Sequence, residues 1–374
     1  MKKVALVSAL ALVSISAAHA APQVYGKAFV TLDYVNTDYD DSKKKDDDSL
    51  KLNSNASRIG FKGDESLTDG TDLVYQLEYE INIDDGNKGQ FTSRNTYLGL
   101  ANKQYGTLLA GRYDTPLKLV QNKVDVFNDT ILDMKEAGVS GENRANNVVA
   151  YQSPAIVGIP VTFTGAVSLS ETDEDGDVVV KAGTPSTPAV VVPSTKEVII
   201  PAKAGTPTVY RDRKVKDNAY SASLAYDQNG VYLGAAYDNG IGAVDNTWRL
   251  VGALDMGKVN MVQGLTLGAL YQQSDYYDTY TVVNNAKKTQ GSETEKSWLI
   301  SGKYKIANSP WAVKAQYVNT SDEKGVKNAD ADEIAIGGEY TFNKAATGHI
   351  YAGQISRDNN KDDTIFGTGI EYKF

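Results

Sequence analysis

Cysteine is absent and histidine occurs only twice. The first absence excludes a disulfide framework, together with thiolate catalysis and the cysteine-rich zinc sites. Beyond its first twenty residues the chain has no apolar run approaching the roughly 20 residues that a helix needs to cross a bilayer. Basic charge is also in deficit: 38 Lys and Arg stand against 47 Asp and Glu, a net −9. That acidity argues against nucleic acid as a partner.

What is present begins with Met1-Lys2-Lys3, an apolar run from Val4 to Ala18, and Ala18-His19-Ala20 ahead of Ala21-Pro22. A basic start, a short apolar stretch and a small-x-small site predict a secretory leader over 1–20, cleaved after Ala20, with 21–374 as one exported domain. Losing Lys2 and Lys3 makes the mature chain more acidic still, and leaves His349 as its one histidine. No Gly-x-Ser-x-Gly occurs, and no His or Cys cluster. Hydrolytic chemistry needs a base beside a nucleophile or an acid, so the chain reads as no enzyme, with no cofactor and no metal. A large exported protein without disulfides needs another source of stability, and closure of a hydrogen-bonded sheet is one.

Tyrosine, at 23 residues against 8 phenylalanines, and glycine, at 33, are abundant. Membrane β-barrels have this profile, because half of each strand faces a polar lumen and aromatic girdles mark both interfaces. The test is period two. In Leu73 to Asn82 the odd positions are Leu, Tyr, Leu, Tyr and Ile, and the even ones mostly Gln, Glu, Glu and Asn. Ile334, Ile336, Tyr340 and Phe342 oppose Glu333, Glu339 and Thr341; Trp311, Val313, Ala315 and Tyr317 oppose Lys314 and Gln316; Leu265, Leu267, Ala269 and Tyr271 make a fourth case. A soluble sandwich also alternates, but its strands average five or six residues. These run to about ten, the length a tilted strand needs to cross the hydrocarbon layer.

Sixteen candidate strands begin near Val24, Asn55, Thr71, Ser93, Gly106, Asn146, Val161, Asn218, Val231, Thr247, Gly264, Ser297, Trp311, Ala331, Thr347 and Thr364. Short connections such as Asp227 to Gly230 and Asn343 to Ala346 alternate with long polar ones such as Asn36 to Leu52 and Gln273 to Lys296. The pattern predicts an all-β fold, a 16-stranded antiparallel transmembrane β-barrel with both ends on the periplasmic side. Glu171 to Asp217 repeats Lys-Ala-Gly-Thr-Pro at Lys181 and Lys203, with a candidate hairpin through Val190 to Ile200, and otherwise reads as a solvated surface loop.

Several segments, in order, resemble the general outer-membrane porins of Gram-negative bacteria. They are Val24-Tyr25-Gly26-Lys27; Ser57-Arg58-Ile59-Gly60-Phe61-Lys62-Gly63; Arg94 to Leu100; Tyr105-Gly106 through Gly111-Arg112; and Arg144 to Tyr151. Gly111 to Leu117 is similar to the start of that family's third loop, and Phe374 to its terminal assembly-signal residue. The resemblance implies a water-filled diffusion channel and a homotrimer. It also implies a third loop folded into each lumen, outer-membrane lipid and lipopolysaccharide as surroundings, and the barrel-assembly machinery as a partner through Phe374.

The family's basic wall maps onto Lys27, Arg58, Lys62, Arg94 and Arg144. Alternation independently turns Arg58 and Lys62 to the lumen, since Ile59 and Phe61 face lipid; at the bilayer midplane a base on the lipid side costs about 2–4 kcal/mol. Opposite this wall the third loop, roughly Asp114 to Asn143, would offer Asp114, Asp125, Asp129, Asp133, Glu136 and Glu142. Asp125, Asp129 and Asp133 are spaced to share one face of a helical turn. The family's Pro-Glu-Phe-Gly-Gly segment is missing from this loop. Its acids and the acidity of the mature chain predict cation preference. Two alternatives stay open: a substrate-specific channel, whose aromatic slide could include the tyrosines between Tyr271 and Tyr304, and an adhesive barrel working through Glu171 to Asp217.

Overall fold

The computed structural model describes residues 22–39, 46–86, 89–121, 124–156, 159–170, 178–181, 190–191, 198–200, 209–211, 218–242, 244–283, 286–358 and 361–374. The leader predicted over 1–20, the second Lys-Ala-Gly-Thr-Pro and most of the first lie outside these residues.

Period two is realised with its sense reversed from that of a soluble sheet. Within Ala331–Thr341, Glu333 is 0% exposed while Ile334 and Ile336 are 61% and 64% exposed. Trp311 and Val313 are likewise exposed while Lys314 and Gln316 are buried. Polar side chains tolerate this inner position because they pair with one another, as where Gln316 Nε2 donates to Glu333 Oε1 at 3.2 Å. The apolar side chains form an outer belt suited to hydrocarbon.

Among the described residues sixteen strands build the wall: β1 (Gln23–Asp38), β2 (Asp47–Ser54 and Arg58–Thr68), β3 (Thr71–Glu80), β4 (Thr92–Asn102), β5 (Gly106–Asp114), β6 (Arg144–Gln152), β7 (Val161–Ser168), β8 (Ala219–Gln228), β9 (Val231–Asn239), β10 (Val244–Asp255), β11 (Leu265–Tyr276), β12 (Thr294–Lys305), β13 (Trp311–Ser321), β14 (Ala331–Thr341), β15 (Ala346–Arg357) and β16 (Asp362–Lys373). Each pairs antiparallel with the next, and β16 pairs with β1 from Lys373 opposite Lys27 to Asp362 opposite Asp38. Closure leaves no edge, so backbone donors and acceptors are satisfied within the sheet where no water reaches them. Asn229-Gly230 is a two-residue turn with both residues at positive φ, 53° and 84°, the mirror-turn geometry that a tight hairpin needs. Trp311, Tyr340 and Phe342 meet edge to face in sequence at centroid distances of 5.0 and 4.8 Å, a section of aromatic girdle at strand ends.

The expected loop from Asn36 to Leu52 is corrected. β1 continues to Asp38 and pairs with Asp47–Ser54, leaving 39–46 as the connection. Alternation gives no signal across Asn36 to Asp38 and Asp47 to Ser49, where backbone pairing persists, whereas Leu50 and Leu52 continue the exposed apolar face. The expected break from Gln273 to Lys296 is shortened in the same way: β11 reaches Tyr276, and Thr279–Val283 pairs with Ala286–Gln290. The first of these also pairs with Val209–Arg211, which pairs with Val178–Lys181, so the connections after β7 and β11 share a small sheet. Val190–Val191 pairs with Val198–Ile200, the hairpin expected there.

Candidate functional site

Strand register assembles a row of charges on the inner wall. Lys27 of β1 lies opposite Arg58 of β2, Arg58 opposite Glu80 of β3, and Asp114 of β5 opposite Arg144 of β6. The four bases do not face open lumen unpaired. Arg94 spans two carboxylates, with Nε 2.8 Å from Glu78 and Nη1 2.8 Å from Glu80. Arg58 lies 3.8 Å from Glu78. Arg144 holds Asp114 at 3.0 Å and donates from Nε to Asn95 at 2.8 Å. Lys62 sits apart from this row, its ammonium 5.1 Å from the Tyr25 ring centroid. Glu78 and Glu80 were missed in the sequence, where they read only as the polar face of an alternating strand.

Between β5 and β6 the third loop packs against the wall. Thr115 N donates to Asn143 O at 3.2 Å and closes the loop at its base. Thr115 also caps the short helix α1 (Pro116–Val120), accepting from Lys118 N, with Pro116 at the position where no amide donor is needed. Leu117, Val120, Val124 and Met134 are buried with Val251, Leu270, Leu299 and Val318 of β10 to β13. Phe127 and Leu132 are buried with Tyr351, Ile355 and Ile365 of β15 and β16. Polar ties fix the register of the loop: Lys314 Nζ donates to Val126 O at 2.7 Å, Val126 N to Gln316 Oε1 at 3.0 Å, and Arg357 Nη2 to Glu136 O at 2.8 Å.

The loop acids divide by role. Asp129 meets the basic row, 2.5 Å from Lys27 Nζ and 3.7 Å from Arg58. Asp125 and Asp133 instead fold the loop. Asp125 accepts from Phe127 N at 3.0 Å and Met134 N at 3.2 Å; Asp133 accepts from Asp129 N at 2.9 Å and caps a 3₁₀ turn over Met134–Ala137. The expected shared helical face is corrected: Asp129 has φ +66°, and no helix joins the three. Asp114 lies in the wall, Glu136 is exposed, and Glu142 pairs at 2.9 Å with Arg249.

Arg249, on β10 and 0% exposed, is the second feature missed. Its guanidinium donates to Glu142, to Leu117 O at 3.2 Å, to Ser140 O at 2.8 Å and to Gln272 at 2.8 Å. It thereby ties the outgoing and returning limbs of the loop to the same strand. His349 packs its ring 4.9 Å from that of Phe29 on the inner wall.

Burial raises the Asp129 carboxyl, but Lys27 and then Arg58 outweigh it and hold the group below the ordinary carboxylate range. A depressed value contributes stability that is full above the free value, about pH 4, and is lost as pH falls through the lower folded value. Asp125 has the opposite sign: burial, reinforced by Asp133, raises it well above that range, so its charge weakens the loop as pH rises. The stability lost in Asp129→Asn relative to the wild type is therefore expected to stay constant down to about pH 4 and to shrink only below it, as pH falls through the lower folded value. Heat-modifiable mobility across that range measures it.

A family model described as Gram-negative porin matches residues 5–363. The major outer membrane protein P.IA of Neisseria meningitidis serogroup B is 25% identical over 362 residues, covering 89% of this chain and 85% of that protein. An outer membrane porin protein of Bordetella pertussis is 31% identical over 202 residues, 49% of this chain and 52% of its own length. Among solved structures, the anion-selective porin from Comamonas acidovorans is similar with a TM-score of 0.63 at 17% identity, covering 95% of this chain and 99% of that one. OmpT of Vibrio cholerae in its trimer form gives 0.57 at 14% identity, covering 94% and 99%.

Proposed function

The chain belongs to the Gram-negative porin family and is an outer-membrane channel for passive diffusion, and from that premise we propose that passage is set where its third loop meets the basic row. The observation that carries this reading is Asp129, a loop residue, lying 2.5 Å from Lys27 and 3.7 Å from Arg58. On this reading Lys27, Arg58, Arg94 and Arg144 line one side of a narrowed passage, with Glu78, Glu80, Asp114 and Asp129 interleaved among them. Opposite charges interleaved along one side of a low-dielectric passage create a local field that favours hydrated, dipolar solutes over apolar ones.

Selectivity between small ions is then weak. The cation preference expected from composition drew on Asp125 and Asp133, which turn to loop backbone, while the row itself is close to neutral pair by pair. Charge on distant outer connections is screened beyond a Debye length of about 8–10 Å.

The working assembly is a homotrimer, as in the trimeric OmpT of Vibrio cholerae, set among outer-membrane lipid and lipopolysaccharide. Removal of residues 1–20 and delivery to the barrel-assembly machinery through Phe374 complete the proposal; Phe374 N donates to Gly26 O at 3.2 Å, alongside β1.

Swelling of proteoliposomes in neutral sugars of graded size tests the function. A general channel gives rates that fall smoothly with solute size and do not saturate. Saturation by one solute class would favour the substrate-specific alternative, and absence of swelling would overturn both.

A further inference from the structure

Four glycines of the wall lie beneath the third loop. A Cβ placed on Gly234 of β9 would stand 2.3 Å from Val120 Cγ2; on Gly268 of β11, 3.1 Å from Val124 Cα and Cβ and 2.7 Å from the wall's Ser301 Oγ; on Gly337 of β14, 3.1 Å from Phe127 Cε1 and 3.0 Å from the wall's Ile350 O; and on Gly353 of β15, 2.7 Å from Leu132 Cδ2 and 2.9 Å from the wall's Ile334 O. None of the four has a positive φ, so the backbone does not require glycine there. Glycine inside a strand weakens it, and is used where another part of the chain must come close. The four loop side chains they receive are all 2% exposed or less. Loop order also follows wall order: Val120, Val124, Phe127 and Leu132 meet β9, β11, β14 and β15 in turn.

From this groove, and resting on the reading that the third loop narrows the passage, we infer that the wall glycines set the distance between loop and wall, and with it the bore of the pore. Apolar carbons pack at about 3.5–4.0 Å, so a methyl on Gly353 or Gly234 requires a shift of about 1 Å or more. The wall cannot supply it, because β9 and β15 are hydrogen-bonded along both edges. The loop, held by side chains, moves into the lumen instead.

Single-channel conductance of Gly353→Ala and Gly234→Ala tests this in barrels whose folding is verified by heat-modifiable mobility. Conductance is expected to fall in both, and further in the valine variants. Gly302→Ala is the control: a Cβ there makes ordinary contact with Leu267 at 3.5 Å, and conductance stays at the wild-type value. Rescue is expected to be pair-specific. Leu132→Ala restores conductance to Gly353→Ala but not to Gly234→Ala, and Val120→Ala does the reverse, a pattern that generalised loss of stability does not produce. Should a glycine variant fail to fold alone, its matched double variant folds and conducts normally while the mismatched one does not. Wild-type conductance in folded Gly353→Ala and Gly234→Ala barrels, or indiscriminate rescue, overturns the inference. If only the seat is wrong, Asp129→Asn still changes ion selectivity; if the third loop does not narrow the passage, that variant leaves selectivity unchanged as well.

Discussion

Arg94→Gln is expected to move the zero-current potential in a salt gradient toward cation preference by more than any other single neutralisation in the lumen. Arg94 is the one base of the row that holds two carboxylates at hydrogen-bond distance, Glu78 and Glu80, each at 2.8 Å. Removing its charge leaves Glu80 without this partner, and leaves Glu78 with Arg58 at 3.8 Å and the Tyr25 hydroxyl at 3.0 Å. A unit charge 4 Å from a passing ion is worth about 1 kcal/mol in bulk water and about 4 kcal/mol near a protein surface, so even the lower value changes a permeability ratio several-fold. Arg144→Gln is weaker, because Asp114 keeps Lys118 at 3.3 Å. Arg94→Lys separates charge from geometry. It keeps the potential near the wild-type value while losing the two-pronged hold that only a guanidinium supplies.

Arg249→Leu should act on the loop itself. The substitution strips the largely buried Glu142 carboxylate of its ion-pair partner, leaves the Leu117 carbonyl without this donor, and leaves the Ser140 carbonyl with Gln272 alone. Breaking a buried ion pair from one side costs about 3–5 kcal/mol. That cost falls on the seating of the loop, because the backbone ladder of the barrel does not use the side chain. The expected record is a noisy channel with a higher mean conductance and a normal heat-modifiable mobility. The double variant Glu142→Gln, Arg249→Leu removes the stranded charge and is expected to be quieter than the single variant. A quiet channel of wild-type conductance in Arg249→Leu would show that Arg249 does not hold the loop.

The wall was legible because one physical constraint governs it throughout. Ile334 and Ile336 face lipid and Glu333 faces inward, so period two names the face of each residue without knowledge of its neighbours. The signal fails where the constraint lapses, as along Asn36 to Asp38 and Asp47 to Ser49, which pair with polar residues on both faces. The site was legible only in its bases. Glu78 and Glu80 sit in a strand where any polar residue satisfies the alternation, and pairing with Arg94 depends on a register the sequence does not print. Arg249 is further from view: its carboxylate partner is 107 positions away. Asp125, Asp129 and Asp133 have helical spacing, but the left-handed backbone at Asp129 breaks the periodicity, sending Asp129 to the basic row and the other two to loop backbone. The glycine groove is hidden for a related reason, since composition reveals many glycines but not which of them another segment lies upon.

The conductance of the purified wild-type protein in a planar bilayer held across a salt gradient is the most direct test of a channel narrowed at the charged row. Ohmic steps are expected to arrive in threes, with a zero-current potential close to zero. Closed barrels, steps that do not group in threes, or strong selectivity for either ion sign would contradict such a channel.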